Sequence, residues 1–179
     1  AKEHKIDGLQ NRSFVLTIGG AEPRKNVLSV IGAFKNLKQE ASEYAAKVDC
    51  IVVVGGDWRS LSIRAEGEFE SVLMLGHVSD PQLLWLYKNC KFFVFPSLYE
   101  GFGIPLLDAM SNSAPVLASS ATSIPEVGGA APMYDDVCTV ASLSERMRKM
   151  MGEVDLDLMS VEGLEQSTKF SWELMMSDF

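Results

Sequence analysis

The residues of this chain best able to do chemistry gather in one stretch, Pro96-Ser-Leu-Tyr-Glu-Gly-Phe-Gly-Ile-Pro-Leu-Leu-Asp-Ala-Met110. An apolar run ends at Pro96, a glycine-rich turn follows, and Pro105 sits in what reads as the first turn of a helix opening near Ile104. N–H groups from Gly101 to Ile104 at such a helix start lack intrahelical acceptors and lie at the positive end of the dipole, which suits a diphosphate. Gly101 and Gly103 let the backbone approach that ligand closely. Glu100 precedes the turn and Asp108 falls about one turn into the helix, so two carboxylates can accept hydrogen bonds from hydroxyls of a sugar and a ribose. The plainer reading is a helix-capping loop in which Asp108 answers the dipole.

Such a site calls for a cation. Lys25 follows the glycines Gly19-Gly20 at another strand exit, where an ammonium would offset charge developing on a leaving diphosphate. Arg24 stands beside it. Taken alone, Arg24-Lys25 reads as a solvated helix start.

The elements that must position these residues are legible as short apolar runs alternating with helical patterns. The runs are Phe14–Ile18, Cys50–Val54, Val72–Leu75, Phe92–Phe95 and Pro115–Ala118, with a weak sixth at Met133–Tyr134. They are rich in Val, Ile and Phe and lack polar alternation, the pattern of strands buried on both faces of a parallel sheet. Between them, Asn26 can cap a helix with Val27, Val30, Ile31, Phe34 and Leu37 on one face. Asp80 reads as the N-cap of a second helix with Pro81 behind it and Leu83, Leu84, Leu86 and Tyr87 buried. This repetition predicts a Rossmann-like, doubly wound, mostly parallel sheet of about six strands with helices on both faces. Ligands in such sheets bind outside the carboxyl ends of the strands. The marked residues Gly19-Gly20, Gly55-Gly56, Gly76 and Pro96-Ser97 all fall at those ends. From about Val137 onward the chain reads as two or three helices, with methionine filling gaps in the packing. Residues 1–13 read as a linker and 14–179 as the domain.

The run EGFGIPLLDAM resembles the signature of retaining glycosyltransferases of family 4, which have the two-domain GT-B fold. The resemblance extends through FVLTIGGAEPRKN, LGHVSDPQLLWLYKNCKFFVFPSLYE, PVLASSATSIPEVGGAAPMYDD and FSWE at Phe170–Glu173. It implies the C-terminal, donor-binding half of such an enzyme. Lys25 would contact the diphosphate of a nucleoside-diphosphate sugar, with Arg24 secondary and Gly19 and Gly20 forming the phosphate loop. Glu100 would hold the transferred sugar, making Glu100 and Lys25 the catalytic pair. Backbone groups of Gly101, Phe102, Gly103 and Ile104 would bind sugar and phosphate oxygens. Asp108 would bind the ribose in place of the family's Glu, and His77-Val78 would lie near the base. No metal and no other cofactor is implied. The acceptor would sit on an N-terminal domain of the same protein, through which any membrane contact would occur. The expected location is the cytoplasm, at the inner face of the membrane. Many members carry an Arg where this chain has Gly20, which leaves one expected cation missing. That departure keeps open a second reading, a glycosyltransferase-like binding or scaffold module without catalysis.

Composition narrows the other classes. A net charge of -8 argues against a nucleic-acid partner. Cys50, Cys90 and Cys138 are odd in number and scattered, which reads as buried free thiols in a reducing compartment. Asp155-Leu156-Asp157 spells a metal-binding tripeptide of other glycosyltransferases but reads as a solvated helix start. His4 and His77 are too few and too far apart for zinc. Trp85 and Trp172 read as core, and Trp58 shows no sugar-platform spacing. Ser119, Ser120 and Ser123 have no His partner for nucleophilic catalysis. Glu126 reads equally as a loop-ordering residue and as part of a capped short helix.

Overall fold

The computed structural model describes residues 5–40, 43–56 and 71–170 of the chain. The six apolar runs become six strands: β1 (Phe14–Ile18), β2 (Cys50–Val54), β3 (Val72–Gly76), β4 (Phe92–Phe95), β5 (Val116–Ser119) and β6 (Met133–Asp135). They form one sheet in the order β3-β2-β1-β4-β5-β6. Every pairing is parallel. The weak sixth run is a true edge strand, with Leu117 opposite Met133 and Ser119 opposite Asp135. Pro115 has no N–H to give and stays outside β5, but its carbonyl accepts from Phe93 N–H at 2.8 Å.

Helices cover both faces, as parallel strands buried on two sides require. On one face lie α1 (Val27–Gln39) and α5 (Val140–Gly152); on the other lie α2 (Asp80–Asn89), α3 (Ile104–Ser111) and α4 (Ile124–Gly128). A last helix, α6 (Leu156–Ser167), packs on α3, where Gly163 lies against Met110. In α1 the five residues read as its apolar face are all buried. Met147, Met150 and Met151 fill the layer between α5 and the sheet.

Some boundaries differ from the sequence reading. The N-cap of α2 is Ser79, so Asp80 is already helical. Gln82 Oε1 accepts from Ser79 N–H at 3.0 Å, a reciprocal cap that fixes the start one residue early. Leu86 and Tyr87 are buried and Leu83 half-buried, but Leu84, read as buried, is exposed, because α2 covers the sheet with its last turns. Ile6 and Leu9, ahead of β1, pack against the α2–α3 face, and Leu9 is buried. Trp85 stacks on Phe14 with ring centroids 6.2 Å apart. The readings of His4, Trp58, Trp172 and the 171–173 part of FSWE lie outside the described residues.

Candidate functional site at the strand switch

Strand order reverses between β1 and β4: the chain runs outward from β1 to β3, then returns to begin again at β4. A parallel sheet opens a crevice at such a point, above the carboxyl ends of the two strands. The loop after β1 carries Lys25 into it and the loop after β4 carries Glu100.

Lys25 ends a single 3-10 turn, Pro23–Lys25, set by Pro23 at its start. Its Nζ donates to Glu100 Oε1 at 2.7 Å. The two side chains are 17% and 10% exposed, so this ion pair is largely withdrawn from water. Phe95 lies beneath the ammonium, 5.8 Å from ring centre to Nζ. Arg24 reaches the other carboxylate oxygen of Glu100 at 3.9 Å and pairs with Glu22 at 2.7 Å. The two loops also meet through backbone, where Leu98 N–H donates to the Arg24 carbonyl at 2.7 Å. Glu100 thus sits between two cations, and a ligand offering both hydroxyls and phosphate would find complementary groups side by side.

Next to Lys25, Asn26 takes φ 52, a left-handed conformation that asparagine tolerates well. It stands at the N-cap position of α1 but does not cap through its side chain. Its Nδ2 donates to the Cys138 carbonyl at 2.8 Å and its Oδ1 accepts from Ser29 Oγ at 2.6 Å. The start of α1 is therefore pinned to the turn after β6. That turn is itself held by the buried Asp135, whose Oδ1 accepts N–H bonds from Val137 and Cys138.

Gly20 has a packing reason. A Cβ there would stand 3.2 Å from the Cα of Gly56, and a Cβ on Gly56, at φ +72, would come to 2.4 Å of Gly20. The loops after β1 and β2 touch backbone to backbone at this point, so a side chain at position 20 would push the Gly56 backbone away by a few tenths of an ångström. Among the described residues a guanidinium reaches Glu100 from Arg24 instead, at 3.9 Å.

Beyond Glu100, Gly103 adopts φ +93 and leads directly into α3. The N–H groups of Phe102, Gly103 and Ile104 donate to no acceptor among the described residues. Gly101 faces open space, while Phe102 turns its ring edge-on to Phe170, 5.9 Å away. Asp108, half-buried in α3, has its carboxyl raised above the ordinary range, first by burial and then by the charge of Asp80. Asp80 lies in the first turn of α2, after the turn of exposed His77 and half-buried Val78 at the end of β3. The sequence-predicted residues thus form two groups. Gly19, Gly20, Arg24, Lys25 and Glu100 to Ile104 lie in the loops at the β1–β4 switch, whereas His77 and Val78 follow β3 and Asp108 lies about one turn into α3.

A set of hydroxyls escaped the sequence reading. Glu100 N–H donates to Thr122 Oγ1 at 3.1 Å, and the same hydroxyl donates to the Glu100 carbonyl at 3.0 Å. Ser123 Oγ donates to that carbonyl as well, at 3.1 Å. Ser119 Oγ donates to the Ser97 carbonyl. The run Ser-Ser-Ala-Thr-Ser after β5 is the available signal, but by residue type its serines suggest only nucleophiles and nothing marks Thr122. Glu126, rated equally as an ordering residue, is exposed in the first turn of α4, and the bonds that hold the loop come from Thr122 and Ser123.

Other candidates resolve simply. Asp155 caps α6 by accepting Leu158 N–H at 3.0 Å, and Asp157 lies in its first turn. Cys50 and Cys138 are buried, Cys90 is half-buried, and all three are free thiols. No cluster of three or more metal-ligating side chains occurs among the described residues. No helix among them is long and apolar enough to cross a membrane.

Residues 1–153 match the family model described as glycosyl transferases group 1. O-antigen chain mannosyltransferase B of Escherichia coli is 34% identical over 172 residues, covering 90% of this chain and 43% of that protein. O-antigen chain mannosyltransferase RfbU of Salmonella typhimurium is 32% identical over 130 residues, 70% of this chain and 35% of that one. The chain thus spans less than half the length of either relative. Among solved structures, TarM superposes with a TM-score of 0.77 at 17% identity, over 99% of this chain and 36% of that one. WaaG, a glycosyltransferase involved in lipopolysaccharide biosynthesis, gives 0.73 at 21% identity over 90% and 44%. These structural likenesses place the fold among GT-B glycosyltransferases.

Proposed function

The chain belongs to the group 1 glycosyltransferases, and on that footing we propose that it is the C-terminal donor-binding domain of a retaining, family 4 glycosyltransferase. The observation that carries the reading is the Lys25–Glu100 pair, closed at 2.7 Å over the strand switch and largely sheltered from water. A nucleoside-diphosphate sugar enters with its diphosphate toward Lys25, Arg24 and the N–H groups of Phe102 to Ile104. Its sugar hydroxyls donate to Glu100, its ribose hydroxyls donate to Asp108, and its base lies by His77-Val78.

The transfer splits the bond between anomeric carbon and diphosphate. An acceptor oxygen, held by an N-terminal domain, bonds to that carbon from the face the diphosphate leaves, and its proton passes to a diphosphate oxygen. Lys25 and the start of α3 stabilise the negative charge as it develops, so the step draws on no metal or other cofactor. Mannose is the proposed sugar, since both relatives described above are named mannosyltransferases. The whole protein would work in the cytoplasm, meeting a membrane only through its other half.

The scaffold reading drew its force from Gly20 in place of an Arg. The contact between Gly20 and Gly56 gives that glycine a structural cause, and Arg24 supplies a guanidinium nearby. Both favour the enzyme. Calorimetric titration with GDP, UDP, GDP-mannose and UDP-glucose tests the choice. The expected result is weak binding that falls at least about tenfold for all four ligands in Lys25→Ala and for the two sugar nucleotides in Glu100→Ala, the loss of one charge-assisted contact. No binding at millimolar nucleotide supports the scaffold. The isolated chain is expected to transfer nothing, and a measurable rate would overturn the half-enzyme assignment.

A further inference from the structure

We propose that Thr122 is a positioning residue for Glu100, holding its carboxylate against Lys25 through a hydroxyl that clasps both backbone groups of Glu100. What Glu100 does in the site rests on the donor-binding reading; how it is held rests on geometry alone. Thr122 has φ 51. In that region a side chain branched at Cβ crowds its own backbone, and Gly, Asn or Asp are the usual occupants. The residue is exposed, so no packing demand explains the choice.

A glycine would make the same turn without strain. Thr122 adds a hydroxyl on a Cβ whose branching restricts its rotamers. That oxygen accepts Glu100 N–H at 3.1 Å and donates to the Glu100 carbonyl at 3.0 Å. Ser123 donates to the same carbonyl, and Ser119 donates to the carbonyl of Ser97 at the root of the turn. The turn after β5 therefore grips the turn after β4 at both ends. Strain kept at an exposed residue whose hydroxyl clasps the backbone of the residue that bears the site's carboxylate is the mark of a functional constraint.

Three variants separate this role from a purely structural one. Thr122→Val keeps the branch and deletes the hydroxyl, Thr122→Ser keeps the hydroxyl and deletes the branch, and Thr122→Gly removes both with the strain. Three readouts apply to the chain as it stands: amide exchange at Glu100, acetylation rate of Lys25 by acetic anhydride, and calorimetric affinity. In Thr122→Val the Glu100 amide is expected to exchange about tenfold faster and Lys25 to label faster, with Thr122→Ser restoring both. Thr122→Gly is expected to melt no lower than wild type yet fail the same two readouts, a split that a residue serving stability alone would not give. Affinity for GDP-mannose or UDP-glucose falls in Thr122→Val and Thr122→Gly, while affinity for GDP or UDP holds. Wild-type exchange and labelling in folded Thr122→Val and Thr122→Gly overturn the proposal. If the wild-type chain binds no nucleotide, the donor-site reading fails separately, and the exchange and labelling results still decide the role of Thr122.

Discussion

Asp108 is held at a disadvantage by its surroundings, and that disadvantage is measurable. Burial disfavours its charged form and Asp80 repels it, so its folded-state pKa lies above the ordinary carboxylate value. The sign follows directly. Between the two values the folded chain binds more protons than the unfolded one, so stability falls as pH rises through that window and stays lower above it. Asp108→Asn is therefore expected to raise the melting temperature at pH 7. The gain should shrink as pH falls toward the ordinary carboxylate range, as thermal melts across pH will show. The same variant should weaken nucleotide binding, because a carboxylate kept at such a cost is where function opposes stability. That Lys25 and Glu100 stand at two strand exits was legible in the sequence from the glycines beside them, and the structure brings those two side chains together. Thr122 was not legible. Its part depends on a backbone conformation and on a partner 22 residues away, and neither leaves a mark in residue type.

At the scale of elements, the loops after β1 and β2 are fitted to each other by absence of side chains. A Cβ on Gly56 would meet the Gly20 Cα at 2.4 Å, at a φ of +72 that strains any L residue. Gly56→Ala is expected to cost about 2–4 kcal/mol, the sum of backbone strain and forced separation of two loops. Gly101→Ala, whose Cβ meets nothing within 4 Å, should leave the melting temperature within about a degree or two. Denaturant melts of the two variants check the contrast. Periodicity made the strands and the face of α1 legible, because burial on both sides of a parallel sheet leaves continuous apolar runs. It could not supply the one-residue shift at α2, where Ser79 and Gln82 close a cap that outcompetes Asp80. Nor could it show why position 20 is glycine. That reason lies in a neighbouring loop, 36 residues on in the chain and touching only in the fold.

At the scale of the whole molecule, the described residues build one sheet covered by helices on both faces, and the thiols report that cover. Cys138 belongs to the α1–α5 face, Cys50 to the opposite face, and Cys90 packs against the latter from the end of α2. Burial pushes Cys90 and Cys138 up to about 12 and raises Cys50 too. Thiolate is scarce at all three, so labelling by a disulfide reagent at pH 8 is expected to be slow in the native chain. Denaturant should release the three in one phase matching loss of helix signal, as cooperative unfolding requires. The order of assembly follows from the same sheet. The Thr17 hydroxyl donates to the Val94 carbonyl 77 residues away, and β1 and β4 pair across that span. Ribosomal synthesis at roughly 5–20 residues per second leaves Lys25 without its counter-charge for several seconds, until Glu100 emerges. A nascent chain ending before β4 holds every residue of the first loop and yet has no crevice. The crevice above β1 and β4 thus exists only once the central strand pair has closed.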